Sequence, residues 1–301
     1  MTDTVLGQDV LDIDKPDTDD LTLWSVTTII KALANPAIEW WSIEQTANAA
    51  IDSEATWKAM LADQGRDETV KWLCTAKNRL PKTRLSDAAL GTAVHKVCET
   101  YALTAVRPDT EFIEAQVEHA GGPQTDITAE TQLINGMVDL FDGWLQRFQP
   151  VYQATEVCVY SPQWGYAGQA DGFLTIDHTP LIVDYKSTRK PRLKNGKPKT
   201  PYTEVALQLS AYRNADFAAV WRPRRYENQY RRYYCLSPAE REMAVPVPEV
   251  DGGLCILITP EACEAYPVQC GPDIHQEFLY VQEAFRWVTE ISGGVIGAPL
   301  Q

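Results

Sequence analysis

The 301-residue sequence contains no run of about 18 apolar residues, which excludes an ordinary transmembrane helix. It contains no CxxC pair, and an odd count of seven cysteines argues against a disulfide framework. The cysteines read as buried thiols, and Cys255, Cys263 and Cys270 are spaced too widely for a zinc ribbon. No internal repeat is visible. The first 20 residues carry seven Asp and one Lys, with no basic segment leading into an apolar one. A secretory signal is therefore not expected, and a cytoplasmic location follows. Positive charge is also scarce: 27 Lys and Arg face 41 Asp and Glu, for a net charge of −14.

That charge is unevenly placed. Between Lys186 and Arg232 there are 13 Lys and Arg against three acids, Glu204, Asp216 and Glu227. Such asymmetry suits a protein that holds a polyanion at one place and repels it elsewhere, although a basic run alone also fits a solvated loop. Arg189, Lys190, Arg192, Lys194, Arg222, Arg224 and Arg225 are the candidate phosphate contacts, with Arg231 and Arg232 beside them. Tyr202, Trp221, Tyr226, Tyr230 and Tyr233 interleave with them and fit either base stacking or the core.

Three regions are expected. Residues 1–21 form an acidic, turn-prone leader that reads as disordered. Residues 22–150 read as helical: Ser25 caps a segment through Leu33, and further helices follow over 37–51, 54–78, 86–103 and 129–148. Residues 151–301 change period. Segments 154–160, 166–176 and 180–186 read as a three-strand antiparallel meander, followed by a polar loop over 187–200. A helix from Thr203, strands over 229–236 and 254–259, and a helix over 274–291 complete an α/β (α+β) core with the leading helices as an annex.

Within Ile182-Val183-Asp184-Tyr185-Lys186, alternation places Asp184 and Lys186 on one face of a strand and Val183 and Tyr185 on the other. The 13-residue step back to Asp171 crosses a tight turn and places that residue on the neighbouring strand. Two carboxylates and a lysine there make a hard-cation site suited to phosphodiester hydrolysis. An isolated Asp-x-Lys also fits an edge-strand ion pair. Upstream, Gly91, His95 and Glu99 share a helix, and Gln208 and Tyr212 share another helical face. Taken alone, His95 also fits a satisfied core histidine, and Glu99 a helix-surface acid.

The ordered series Gly91…His95, Glu156, Gly168-Gln169-Ala170-Asp171-Gly172, Asp184-Tyr185-Lys186 and Gln208…Tyr212 resembles the PD-(D/E)XK nucleases, and within them the RecB-like exonucleases and their phage-encoded relatives. Ser25-Val26-Thr27-Thr28-Ile29-Ile30-Lys31 resembles the opening of the phage members. The resemblance implies a restriction-endonuclease-like core, a central mixed sheet flanked by helices. It implies His95, Asp171, Asp184 and the Tyr185 carbonyl as ligands of Mg²⁺ or Mn²⁺, with Lys186 as the catalytic lysine. Gln208 and Tyr212 would support Lys186 or contact the DNA backbone, and Glu156 and Glu99 would stand behind the ligands. Many relatives carry an iron–sulfur cluster, but Cys74, Cys255, Cys263 and Cys270 lack the tight spacing it needs, so none is expected.

The implied activity is a metal-dependent DNA exonuclease acting on linear double- or single-stranded ends, in recombination, replication or repair. A phage-encoded chain would act in the host cytoplasm, with a single-strand annealing protein or a helicase as the partner the family suggests. The alternatives are a structure-selective or sequence-specific endonuclease on the same core, and a DNA-binding subunit with a vestigial site.

Overall fold

Polar caps set the helices that position the site. Ser86, Asp109 and Asp126 each accept a hydrogen bond from the backbone N–H three residues on, at 3.1, 2.8 and 3.0 Å. Each satisfies a donor that the first turn leaves without a partner. A computed structural model of the chain describes residues 10–33, 36–75, 83–228, 231–292 and 295.

The N-terminal part runs through strands β1 (Leu11–Asp12) and β2 (Leu21–Ser25), then helices α1 (Val26–Ile30), α2 (Pro36–Asp52), α3 (Glu54–Asp63) and α4 (Gly65–Cys74). Helices α5 (Asp87–Thr104), α6 (Thr110–Ala120) and α7 (Ile127–Phe148) lead into the long strands β3 (Val151–Ser161), β4 (Tyr166–Ile176) and β5 (Thr179–Ser187). Helix α8 (Glu204–Arg213) precedes β6 (Phe217–Ala218), β7 (Arg224–Asn228), β8 (Arg231–Leu236) and α9 (Pro238–Glu242). Strands β9 (Gly252–Ile258) and β10 (Cys263–Val268) and helix α10 (Pro272–Arg286) follow.

The described strands form one mixed sheet in the order β1-β7-β8-β2-β4-β5-β9-β10, with β3 against β4 and β6. Alternation along β9 shows how helices cover both faces. Leu254, Ile256 and Ile258 enter a core with α5, α6 and α7, whereas Cys255 enters a core with α1, α8 and α10. The three layers are therefore helix, sheet and helix, and burial of these apolar stripes is the main stabilising term.

The expected meander is present: β3, β4 and β5 pair antiparallel in sequence order. Other expectations change. The segment from Leu21 to Ser25 is a strand, parallel to β4 and antiparallel to β8; the helix after it starts at Val26, as Ser25 at the cap position implies, but ends at Ile30 rather than Leu33. Ser25 makes no side-chain cap; its hydroxyl sits 2.9 Å from that of Thr27. The leader is structured from residue 10, because Leu11 and Ile13 donate to the carbonyls of Pro223 and Arg225 at 2.8 Å each. Residues 1–9, residues 76–78 of the expected 54–78 helix, and Gln229 and Tyr230 lie outside the described residues. The helical annex divides. Helices α2–α4 pack chiefly on one another, whereas α5–α7 join β5 and β9 in a single core. No described helix is long and apolar enough to cross a membrane.

Candidate active site

Strand β5 delivers its charged pair as alternation requires. Val183 and Tyr185 enter the core beneath α5–α7, while Asp184 and Lys186 turn towards α8. Lys186 Nζ lies 2.7 Å from Asp184 Oδ1 and 2.6 Å from Oδ2. Gln208 on α8 donates to Asp184 Oδ1 at 2.9 Å and to the Tyr212 hydroxyl at 3.3 Å. Tyr212 reaches this position because residue 168 is glycine. A Cβ there would meet the Tyr212 ring at 2.3 Å.

The site opens at a fork in the sheet. One flank of β4 is covered by β2 at Tyr166 and Ala167 and by β5 from Gly172 onward. Between them, Asp171 takes the place of a strand partner, and its Oδ2 accepts the Tyr185 N–H at 2.6 Å. A strand residue sends its N–H and C=O to the same side, so the Tyr185 carbonyl faces the same opening. Strand alternation breaks here too. Ala154 and Val157 enter one core three residues apart, as do Ala170 and Phe173 on the paired strand. Glu156, inside the first of these steps, has φ +50°, a left-handed conformation that costs a non-glycine residue stability. The break aims Glu156 and Asp171 at His95 on α5. His95 Nε2 is 2.6 Å from Glu156 Oε1, and Nδ1 is 3.7 Å from Asp171 Oδ2.

The carboxylates set the protonation states. Burial alone would lower the His95 pKa, but Asp171 and Glu156 overcome it and lift the value to about 10. Burial pushes Asp184 up to about 6 against the pull of Lys186, and pushes Asp171 up against His95 and Lys186. Burial also opposes the charge of Lys186, yet Asp184 and Asp171 raise it above the ordinary lysine value. Facing carboxylates repel unless a cation lies between them. One ligand atom from each of His95, Glu156 and Asp171 falls within 4.8 Å of the others. Asp184 Oδ2 is buried, with an ion-pair contact to Lys186 but no aligned hydrogen bond among the described residues. Carboxylate oxygens with one imidazole suit Mg²⁺ or Mn²⁺, so the donor set fits a hard divalent ion.

A cleft of about 810 Å³ lies over this group. One wall is α5, through Gly91, Thr92 and His95; the other carries Arg222, Arg225 and Arg232. Asp184 lies beneath the floor, 1% exposed.

The structure thus brings His95, Glu156, Asp171, Asp184, Tyr185, Lys186, Gln208 and Tyr212 together. Glu156 stands among the possible ligands rather than behind them. Glu99 is buried, lines the cleft and pairs with Lys96 at 2.9 Å, so it is no surface acid. The basic stretch divides. Arg189 holds buried Glu130 at 2.6 Å and the Leu85 carbonyl at 3.3 Å. Arg224 clamps Asp20 at 2.8 Å and Glu240 at 3.0 Å. Both arginines stabilise carboxylates where phosphate contact was expected. Arg192 pairs with Glu261, Lys194 with Glu44, and Lys190 is exposed. Arg225 reaches the cleft while paired with Asp12 at 2.9 Å. Tyr233 packs between Trp24 and Tyr226, which favours packing over base stacking. Val10, Lys96 and Ser187 also line the cleft and carry no motif that sequence reasoning could have used.

No curated protein matches the chain. Among solved structures, the chain is similar to SSO0001 at 15% identity and a TM-score of 0.28, covering 73% of this chain and 88% of that one. It is also similar to a Eubacterium rectale protein named as a candidate exonuclease, at 11% identity and a TM-score of 0.35, covering 77% and 83% respectively. The family description PD-(D/E)XK nuclease superfamily matches residues 69–278, which span every residue of the fork from His95 to Tyr212. The chain belongs to the PD-(D/E)XK nuclease superfamily.

Proposed function

We propose that the chain is a divalent-metal-dependent DNA exonuclease of the RecB-like branch, hydrolysing phosphodiester bonds at DNA ends in phage-type recombination, replication or repair. The observation that carries this reading is the convergence of His95, Glu156 and Asp171 within ligand reach of one another, beside Asp184 and Lys186, under an arginine-lined wall. Mg²⁺ or Mn²⁺, held by His95, Asp171, Asp184 and the Tyr185 carbonyl with Glu156 as a further donor, would polarise the phosphate and acidify bound water.

The protein's own groups do the rest. Lys186, paired with Asp184, would orient or deprotonate the attacking water or steady the developing phosphorane charge. Gln208 fixes the Asp184 carboxylate, and Tyr212 fixes Gln208 in turn. Arg222, Arg225 and Arg232 hold the phosphate backbone along the opposite wall.

Linear and covalently closed circular DNA incubated with Mg²⁺ or Mn²⁺ test the reading. Digestion of the linear form alone is expected, with Asp184→Ala and Lys186→Ala each slowing it by about a hundredfold or more. Nicked circles would favour an endonuclease. Binding without metal-dependent cleavage of either form would leave only a vestigial site.

A further inference from the structure

Two adjacent arginines of β7 are held in different ways. Arg224 is gripped by Asp20 at 2.8 Å and Glu240 at 3.0 Å, and both carboxylates are mostly buried. Arg225, on the opposite face of the strand, lines the catalytic cleft, and its Nε donates to Asp12 Oδ1 at 2.9 Å. The Asp12 side chain is 73% exposed and that of Arg225 23% exposed. Ion pairs open to water contribute little, whereas breaking a buried pair is strongly destabilising. Arg224 is therefore fixed in place, and Arg225 can exchange its partner.

The strand that carries Asp12 is itself lightly held. β1 is two exposed residues long, lies at the edge of the sheet parallel to β7, and sets Asp12 opposite Arg225. Backbone hydrogen bonds from Leu11 to Pro223 and from Ile13 to Arg225 fasten it. Val10, just before it, lines the cleft. The leader thus runs along the rim of the cleft and lays a carboxylate on an arginine of the wall opposite α5. A phosphate entering the cleft meets a guanidinium already occupied by an anion. Asp12 contacts it with one oxygen, whereas a phosphate can offer two to the planar fork, the stronger arrangement.

Resting on the nuclease reading above, we propose that the leader competes with nucleic acid for the cleft: Asp12 holds Arg225 in the free protein, and a backbone phosphate displaces it on binding. Every encounter is weakened by the strength of the Asp12–Arg225 pair, whatever the base sequence. Asp12 takes no part in bond breaking and sets how readily the wall accepts a phosphate.

The test is a double-mutant cycle on the full chain, with Asp12→Asn, Arg225→Ala and the two combined. Each is titrated with a short DNA duplex at low salt, without divalent metal so that no cleavage occurs. Asp12→Asn is expected to bind about two- to fivefold more tightly, the change that loss of an exposed ion pair implies. The gain should shrink as salt rises, because salt screens the pair. Arg225→Ala should bind more weakly than wild type, and adding Asp12→Asn to it should change nothing. Asp14→Asn removes the same charge from an exposed leader position two residues on and should leave binding nearly unchanged. Unchanged or weaker binding by Asp12→Asn would overturn the proposal. So would an equal gain from Asp14→Asn, or the same gain in the Arg225→Ala background, since the effect would then be one of general charge. Wild-type cleavage of the duplex in Mg²⁺, run in parallel, separates the two readings. Cleavage without the Asp12 effect defeats only the competition, and the Asp12 effect without cleavage defeats only the nuclease reading.

Discussion

Arg189 and Arg232 come from the same basic stretch and end in opposite settings. Arg189 is mostly buried, its guanidinium 2.6 Å from a Glu130 carboxylate that is 3% exposed. Arg232 lines the cleft with its side chain 46% exposed and only a 3.4 Å contact to Glu227. Arg224 goes with Arg189, and Arg225 stands between the two groups. The sequence places all four in one cluster, yet the fold uses Arg189 and Arg224 as internal braces and Arg232 as wall, with Arg225 serving as both. The difference lies in the partners: Glu130 on α7 and Asp20 in the leader lie far away along the chain, and Glu240 on α9 lies 16 residues on.

The largest effect should come from breaking the best-buried brace. Arg189→Met leaves the buried Glu130 carboxyl without its partner, which costs about 3–5 kcal/mol in urea denaturation. Pairing it with Glu130→Leu should restore most of the loss. If Arg189→Met cost under about 1 kcal/mol, the division into braces and wall would fail at its clearest member.

Arg224 sharpens the comparison through pH. Its hydrogen bonds hold the Asp20 carboxyl below the ordinary range. Burial pushes Glu240 up, but Arg224 and Ser237 bring it below its ordinary value. A carboxyl with a depressed folded-state pKa contributes stability that is present at neutral pH and lost as pH falls through that value. The wild-type Tm should therefore fall steeply below about pH 4, and that of Arg224→Met, already lower at pH 7, should fall less. Parallel pH profiles would remove Arg224 from the braces.

A wall arginine should behave differently. Arg232→Ala should leave Tm nearly unchanged, weaken DNA binding severalfold, and reduce the slope of log K against log salt by about 1. Arg189→Met, measured where it is still folded, should keep the wild-type slope. The smallest effects belong to Arg192 and Lys194, whose pairs with Glu261 and Glu44 are solvent-exposed. Changing either to alanine should move stability by less than about 1 kcal/mol.

Much of the site was legible because it obeys short-range rules. Alternation alone separated Asp184 and Lys186 from Val183 and Tyr185, and the turn after β4 placed Asp171 on the next strand. Ser86 announced α5 and therefore the His95 helix. Helix α6 carries an equally local signal in its Asp109 cap and its buried Ile113 and Val117. Strand β2 also alternates, Leu23 and Ser25 buried with Trp24 only half-buried between them, but its partners lie about 140 and 210 residues onward, beyond any local pattern. The backbone conformation of Glu156 was illegible for another reason. A positive φ normally advertises itself as glycine or asparagine, and here a glutamate adopts it because its surroundings over-determine the conformation. The same limit hid the fates of Arg189 and Arg224, since a cation's sequence neighbours do not reveal the carboxylate it will meet.

The parallel pairing of β5 with β9 also fixes when the strand at the centre of the site is enclosed during synthesis. Asp184 lies opposite Cys255 in that register, and Lys186 opposite Leu257. During synthesis β5 leaves the ribosome first and waits with an open edge while about 70 further residues are made, several seconds at ordinary elongation rates. Until β9 closes that edge, the strand bearing Asp184 and Lys186 has no fixed neighbour on that side to hold it against α5 and α8. The strand at the centre of the site therefore gains its second neighbour only when the chain is nearly complete.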